Sequence, residues 1–244
     1  MKFGKLLSVG LIYFILLNCS EGQIEQKRVL IFSKTAGYHH TCIESGYLAL
    51  EKLCTTNAIE VDSTTNSSDF NTENLSKYAA VIFFNTTGNV LNVQEEIAFQ
   101  NYIQEGGGYV GIHAASDTEH DWAWYGRLVG AYFISHPKIQ EAKFIVEDAS
   151  FAATNFLPKE WIRTDELYNL GIVNKEVNVV LSVDEESYEG GTNGKEHPMA
   201  WYHEYDGGRA FYTALGHTHS SYEEAYFLKH LLGGIRYAMG VEDN

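Results

Sequence analysis

Apolar runs closed by polar loops set the first half of the chain. Val29-Leu30-Ile31-Phe32 is continuously apolar, the pattern of a strand buried on both faces. It ends in the polar loop Ser33–His40. Ala79–Phe84 repeats the pattern and ends in Asn85-Thr86-Thr87-Gly88. Tyr109–His113 is the fourth strand, after the short strand Ile59-Glu60-Val61. Between them, Thr41–Leu53 places Ile43, Tyr47, Leu50 and Leu53 on one helical face. Asn71–Ser76 reads as a short turn or helix. Asn92–Glu105 reads as a helix that Gly106 stops.

After Asp117 the texture changes. Strand-like stretches at Lys143–Val146, Val177–Val183, Met199–Tyr202 and Arg209–Thr213 alternate with acidic, glycine-rich loops. Ser220–Glu224 carries a capping-box pattern that opens a last helix to about Met239. No internal repeat interrupts the order. Alternating strand and helix signals predict one α/β domain over residues 28–241, with a mainly parallel central sheet flanked by helices.

In such a sheet, ligands bind outside the carboxyl ends of the strands. The stretch Gly106–Asp117 turns from strand to polar loop at His113, which directs His113, Ser116 and Asp117 to that edge, with the His113 imidazole opening into a pocket; the alternative is a buried, satisfied core histidine. The same reasoning collects His39, His40, His203, His217 and His219 at strand ends. A nucleophile elbow would lie at His113, but G-x-S-x-G is absent and no cysteine stands there, so acyl transfer through Ser or Cys is disfavoured. His217-Thr218-His219 can chelate a metal if extended, with His113 or His203 and a carboxylate completing a zinc site. No H-E-x-x-H or C-x-x-C pattern supports zinc independently. Asp165-Glu166 is either a pair dividing acid and base work or a solvated loop end. Trp124 and neighbouring aromatics suit the C–H faces of a sugar ring, whereas Trp201 reads as core.

Charge and the amino terminus narrow the function classes. Lys2 and Lys5 precede the apolar run Leu6–Leu17, too short for an ordinary span and shaped like a signal peptide over residues 1–18. Leu16-Leu17-Asn18-Cys19 resembles a lipobox, with Cys19 acylated and 19–27 a tether. This predicts an exported protein, a periplasmic or outer-membrane lipoprotein that meets the membrane through its lipid alone. Lys2 and Lys5 are the only charges of 1–18. The chain's 17 basic and 32 acidic residues therefore leave 15 and 32 in the mature part, a formal −17. Such a surface repels phosphate backbones, which excludes nucleic acid as a partner. Cys42 and Cys54 lie roughly 18 Å apart along one helix. They are read as packing residues, not a disulfide.

Several of these stretches carry a family likeness. They are Phe32–His40, Gly107–Asp117 with Asp121-Trp122, Tyr125–Ala131, His136-Pro137, Asp165–Tyr168, His197–Trp201 and Gly207–His217. In this order they resemble the ThuA-like family, named for trehalose utilisation. The resemblance implies a class I glutamine amidotransferase-like, flavodoxin-like α/β fold and a link to sugar catabolism, including oxidised disaccharides. Amidotransferase relatives use a Cys at the strand-to-helix turn. His113 stands in that place here, so glutaminase chemistry is not carried over.

The expected function is action on, or binding of, a small carbohydrate. His113, His217 and Glu166 are the candidate catalytic groups. His40, Asp117, Trp124 and His203 are the candidate sugar contacts, and zinc is the candidate cofactor. A non-catalytic sugar-binding or accessory protein and a metal-dependent hydrolase are the alternatives.

Overall fold

The computed structural model describes residues 27–241. The leader Leu6–Leu17 and Cys19 lie outside the described residues. The first half runs β1 (Arg28–Phe32), α1 (Ile43–Thr56), β2 (Glu60–Thr64), α2 (Thr72–Leu75), β3 (Ala80–Phe84), α3 (Val93–Gln104) and β4 (Gly108–Ile112). The second half runs α4 (Ala123–Val129), β5 (Phe133–Ser135), β6 (Gln140–Val146), β7 (Glu160–Asp165), β8 (Asn169–Leu170), β9 (Asn178–Val183), β10 (Pro198–Tyr205), β11 (Gly208–Thr213) and α5 (Ala225–Ala238).

Nine strands form one sheet in the order β2-β1-β3-β4-β11-β10-β9-β6-β7, and β5 pairs with β8 apart from it. The pairs from β2 to β11 are parallel, and those from β11 to β7 are antiparallel. The sheet is therefore mixed. Its strands still run mostly in one direction, because only β6 and β10 oppose the other seven. Thus β4, β7 and β11 all end at the same edge.

Strands β3 and β4 are buried throughout, which is why they read as apolar runs and not as alternating ones. Neighbouring side chains still face opposite layers. Phe83 packs with Phe99 of α3 and Tyr125 of α4. Phe84 meets Tyr222, ahead of α5. Gly46 of α1 lies against the same two rings: a Cβ there would stand 2.5 Å from Phe84. Cys42 and Cys54 are free and buried, and burial pushes both thiols up to about 12.

In a flat sheet, four ladder spacings of ~4.8 Å would separate β7 from β11 by roughly 19 Å. Yet Asp165, the last residue of β7, accepts at 2.9 Å from the Gly216 N–H just past β11. The antiparallel half therefore curls back over the loop that follows β11. Strand β7 has no apolar run because its inward positions are Trp161, Arg163 and Asp165. The capping-box expectation at Ser220–Glu224 is also corrected. His219–Glu223 is a 3-10 turn, and α5 begins one residue beyond Glu224. Glu224 instead accepts from the Trp161 indole at 2.7 Å.

Candidate metal centre

Four side chains meet at the carboxyl edge of the sheet: His40, His113, Glu166 and His217, with ligand atoms all within 4.8 Å of one another. Each comes from the loop after a different strand. His40 follows β1, in a loop tied down where Ala36 N–H donates to Thr87 O at 2.7 Å. Glu166 follows β7. His217 follows β11 through Gly216, whose φ of +112° suits glycine and where a Cβ would stand 2.7 Å from Tyr222 Oη.

His113 begins the 3-10 turn after β4 with φ +52°, a left-handed conformation uncommon for a residue with a side chain. This is the sharp strand-to-turn geometry expected of an elbow, with an imidazole in the nucleophile's place. The Tyr212 hydroxyl holds the turn by donating to His113 O at 2.9 Å. The expectation that His113 opens into a pocket needs correction. Its ring is fully buried and lies 4.2 Å from the Tyr168 ring, centre to centre.

The hydrogen bonds orient the cluster. His113 Nδ1 lies 2.7 Å from Ala214 O. A carbonyl only accepts, so Nδ1 carries a proton and Nε2 faces the cluster. Nε2 faces His217 Nδ1 at 3.1 Å and Glu166 Oε2 at 3.4 Å. His217 Nδ1 is 3.0 Å from the same oxygen. Burial, reinforced by the imidazoles of His113 and His217, lowers His40 to about 3, so its ring is neutral at pH 7. Burial alone would raise Glu166. Hydrogen bonds and charge from His113 and His217 outweigh it and hold this carboxylate well below the usual range.

A cleft of about 270 Å³ opens on this cluster, walled by Tyr38, Asp117, Phe133, His136 and Tyr168. A larger hollow of about 520 Å³ lies at the opposite edge, near Lys27, Lys77 and Gly106, but none of the four clustered residues lines it. Size therefore does not pick the site; the convergence of titratable groups does.

The expected residues divide accordingly. His40, His113, Glu166 and His217 come together, and Asp117 lines the cleft, paired with His120 at 3.0 Å. Trp124 and His203 do not line it. Strand β10 runs against β11, so His203 lies toward the far edge, where its Nε2 donates to Leu128 O at 2.9 Å. Trp124 is tied to the same far edge through Asp206, in the turn between β10 and β11, at 2.8 Å. The His217-Thr218-His219 chelate does not form either. His219 turns to Ser45 and Thr41, at 2.9 and 3.2 Å. Asp165 is no solvated loop end, since it is fully buried.

His136 was given no role by its sequence. It sits half-exposed at the mouth, with Nδ1 3.1 Å from Glu166 Oε1. It follows β5, a three-residue strand outside the main sheet, so no strand signal pointed to it.

The donor set fits a metal ion. Tetrahedral zinc with ligands at ~2.0–2.1 Å needs donor atoms about 3.3 Å apart. Among His113, Glu166 and His217 the separations are 3.0, 3.1 and 3.4 Å, and with His40 all four donor atoms lie within 4.8 Å of one another. His40 Nδ1 is buried without a hydrogen-bond partner. His113 also has the outer-shell bond, from Nδ1 to a carbonyl, that orients ligating histidines.

The sequence model of a family described as "ThuA: Trehalose utilisation" matches residues 28–238. No protein of curated function matches the chain. Among solved structures, it is similar to a ThuA-like protein from Bacteroides uniformis, at 24% identity and a TM-score of 0.76, covering 87% of this chain and 91% of that one. It is also similar to a ThuA-like protein from Parabacteroides merdae, at 19% identity and 0.74, covering 89% and 92%. A GMP synthase-like protein from Thermoplasma acidophilum shares the fold more distantly, at 10% identity and 0.54, covering 88% and 95%. At these identities the structural likenesses show the fold alone.

Proposed function

This chain belongs to the ThuA family, described as trehalose utilisation, and on that premise we propose that it holds one divalent metal ion, zinc by its donor set, in a cleft that receives one ring of a carbohydrate. The observation that carries this reading is the convergence of His40, His113, His217 and Glu166 at the base of the cleft. Three imidazoles and one carboxylate suit zinc. When bound, such an ion polarises a substrate oxygen as a Lewis acid.

The chain's own residues do the rest. His113 is held in one tautomer by Ala214 O, and Glu166 stays ionised. Tyr38, Phe133 and Tyr168 supply faces on which a sugar ring can lie. Asp117 supplies an acceptor for its hydroxyls. The cleft volume lies just below the ~300 Å³ at which drug-sized sites begin, which favours a single ring over a whole disaccharide.

Protein purified without a histidine tag is expected to carry about one equivalent of zinc, and chelation is expected to weaken sugar binding or turnover at least tenfold. Metal-free protein with undiminished affinity for the same sugar would leave a metal-independent sugar-binding protein in its place.

The same reading leaves out glutaminase chemistry. The turn after β4 carries His113, and Cys42 and Cys54 are buried thiols that stay protonated. Glutamine incubated with the protein is expected to release no ammonia above the buffer rate; a Cys42-dependent release would overturn this.

A further inference from the structure

Beside Glu166 stands a second buried carboxylate, Asp165, that the site as described does not use. Asp165 Oδ1 accepts from Glu166 N–H at 2.9 Å and from His217 N–H at 3.1 Å. Oδ2 accepts from Gly216 N–H at 2.9 Å and from the Ser221 hydroxyl at 3.2 Å. It also faces Arg163 Nη2 at 3.0 Å. One oxygen therefore ties down the backbones of two cluster residues.

We infer that Asp165 is the positioning residue of this site, setting the distance between Glu166 and His217. This deepens the metal reading proposed above and rests on it for one of its two tests. The need for such a residue follows from the topology. Glu166 comes off β7 and His217 off β11, and no sheet ladder joins these two strands. Their loops meet only because the sheet curls, and a curled contact needs a local tie to fix its register. A carboxylate suits this task because it accepts on both oxygens, with about four lone-pair sites. Arg163 pairs with it inside the fold. That guanidinium is itself buried between the rings of Trp161 and Phe227, 4.7 Å from each centre, and also donates to Ser221 Oγ at 2.7 Å. An ion pair that served only to seal β7 against α5 would not need bonds to the backbones of Glu166 and His217.

The test compares Asp165→Asn and Asp165→Glu with wild type by two readouts, each beside a urea midpoint. One is zinc affinity by chelator competition. The other is the His217 imidazole resonances in zinc-free protein. Asn keeps the shape but offers one acceptor oxygen, so its amide turns a donor toward Gly216 N–H or His217 N–H. Zinc affinity is expected to fall about 10- to 100-fold, as for loss of an outer-shell partner. The His217 resonances are expected to shift while those of His120 stay. Glu keeps the charge opposite Arg163 but displaces the oxygens by a methylene, and the same two changes are expected. If Asn at 165 does not fold, Glu decides. Unmoved His217 resonances with only a lower urea midpoint would reduce Asp165 to a structural ion pair. Wild-type protein that takes up no zinc would sink the metal reading, and the zinc-free resonances would still decide the role of Asp165.

Discussion

His113→Ala is expected to lose metal and stability together. The ring is fully buried, packs on Tyr168 and donates to Ala214 O at 2.7 Å. Alanine leaves a cavity there and a buried carbonyl without its donor. It also inherits φ +52°, which offers it no relief. These costs together come to about 2–4 kcal/mol, the range of buried side-chain deletions. Zinc affinity is expected to fall at least about 100-fold, or roughly 2.7 kcal/mol, because the ring supplies one of the four donors. Urea midpoints and chelator competition on the same samples check both. A variant as stable as wild type would mean that the ring is not packed as described. A variant that keeps zinc would remove His113 from the metal site.

This expectation departs from the choice that the sequence suggests, between a functional histidine facing a pocket and a buried core histidine. His113 is both. The left-handed turn points the ring back under the cleft, so its Nε2 reaches the cluster from below while its carbons serve as core. Strand-end logic located it, since β4 ends where the apolar run ends. It could not give the burial, which depends on Tyr168 and on the loop after β11.

The same division holds across the molecule. The parallel half was legible because β1, β3 and β4 are buried on both faces and write themselves as apolar runs. Strand β7 was not, because its inward positions are Trp161, Arg163 and Asp165, and a charged inner face looks like a loop. Glu166 was singled out from the Asp165-Glu166 pair, but the pair gave no sign that Asp165 would be buried behind it. His203 was misplaced because a histidine near a strand end does not reveal which end, and β10 runs the opposite way. Trp124 was misplaced because α4 carries its indole to Asp206 at the far edge. His219 was misplaced because i and i+2 share a face only where the chain stays extended, and the chain turns into a 3-10 segment at His219.

Glu166→Gln is expected to separate the metal's need for charge from the fold's need for shape. The amide is nearly isosteric, so packing against His113, His217 and His136 survives. What disappears is the one formal negative charge among the four clustered residues. Three neutral imidazoles and an amide make a poor zinc site, and affinity is expected to fall by more than the ~10- to 100-fold that an outer-shell loss costs. The pH dependence of metal-free stability gives an independent reading. His113 and His217 hold the Glu166 carboxylate below its ordinary 4.5. A carboxyl group depressed in the folded state adds stability above its unfolded value, and that stability is lost as pH falls through the folded value. Metal-free wild type is therefore expected to be more stable than the Gln variant at pH 7. The gap should start to close below about pH 4.5 as the unfolded chain takes up a proton there. His40, lowered from 6.5 to about 3 chiefly by burial, destabilises both proteins over that range; the Glu166 charge raises it, so its contribution cancels only until pH approaches 3. Urea midpoints from pH 7 to pH 3 measure this gap. A gap that stays constant on acidification would mean that Glu166 is not held by its imidazole neighbours, and the cluster would lose the anionic ligand on which its metal binding depends.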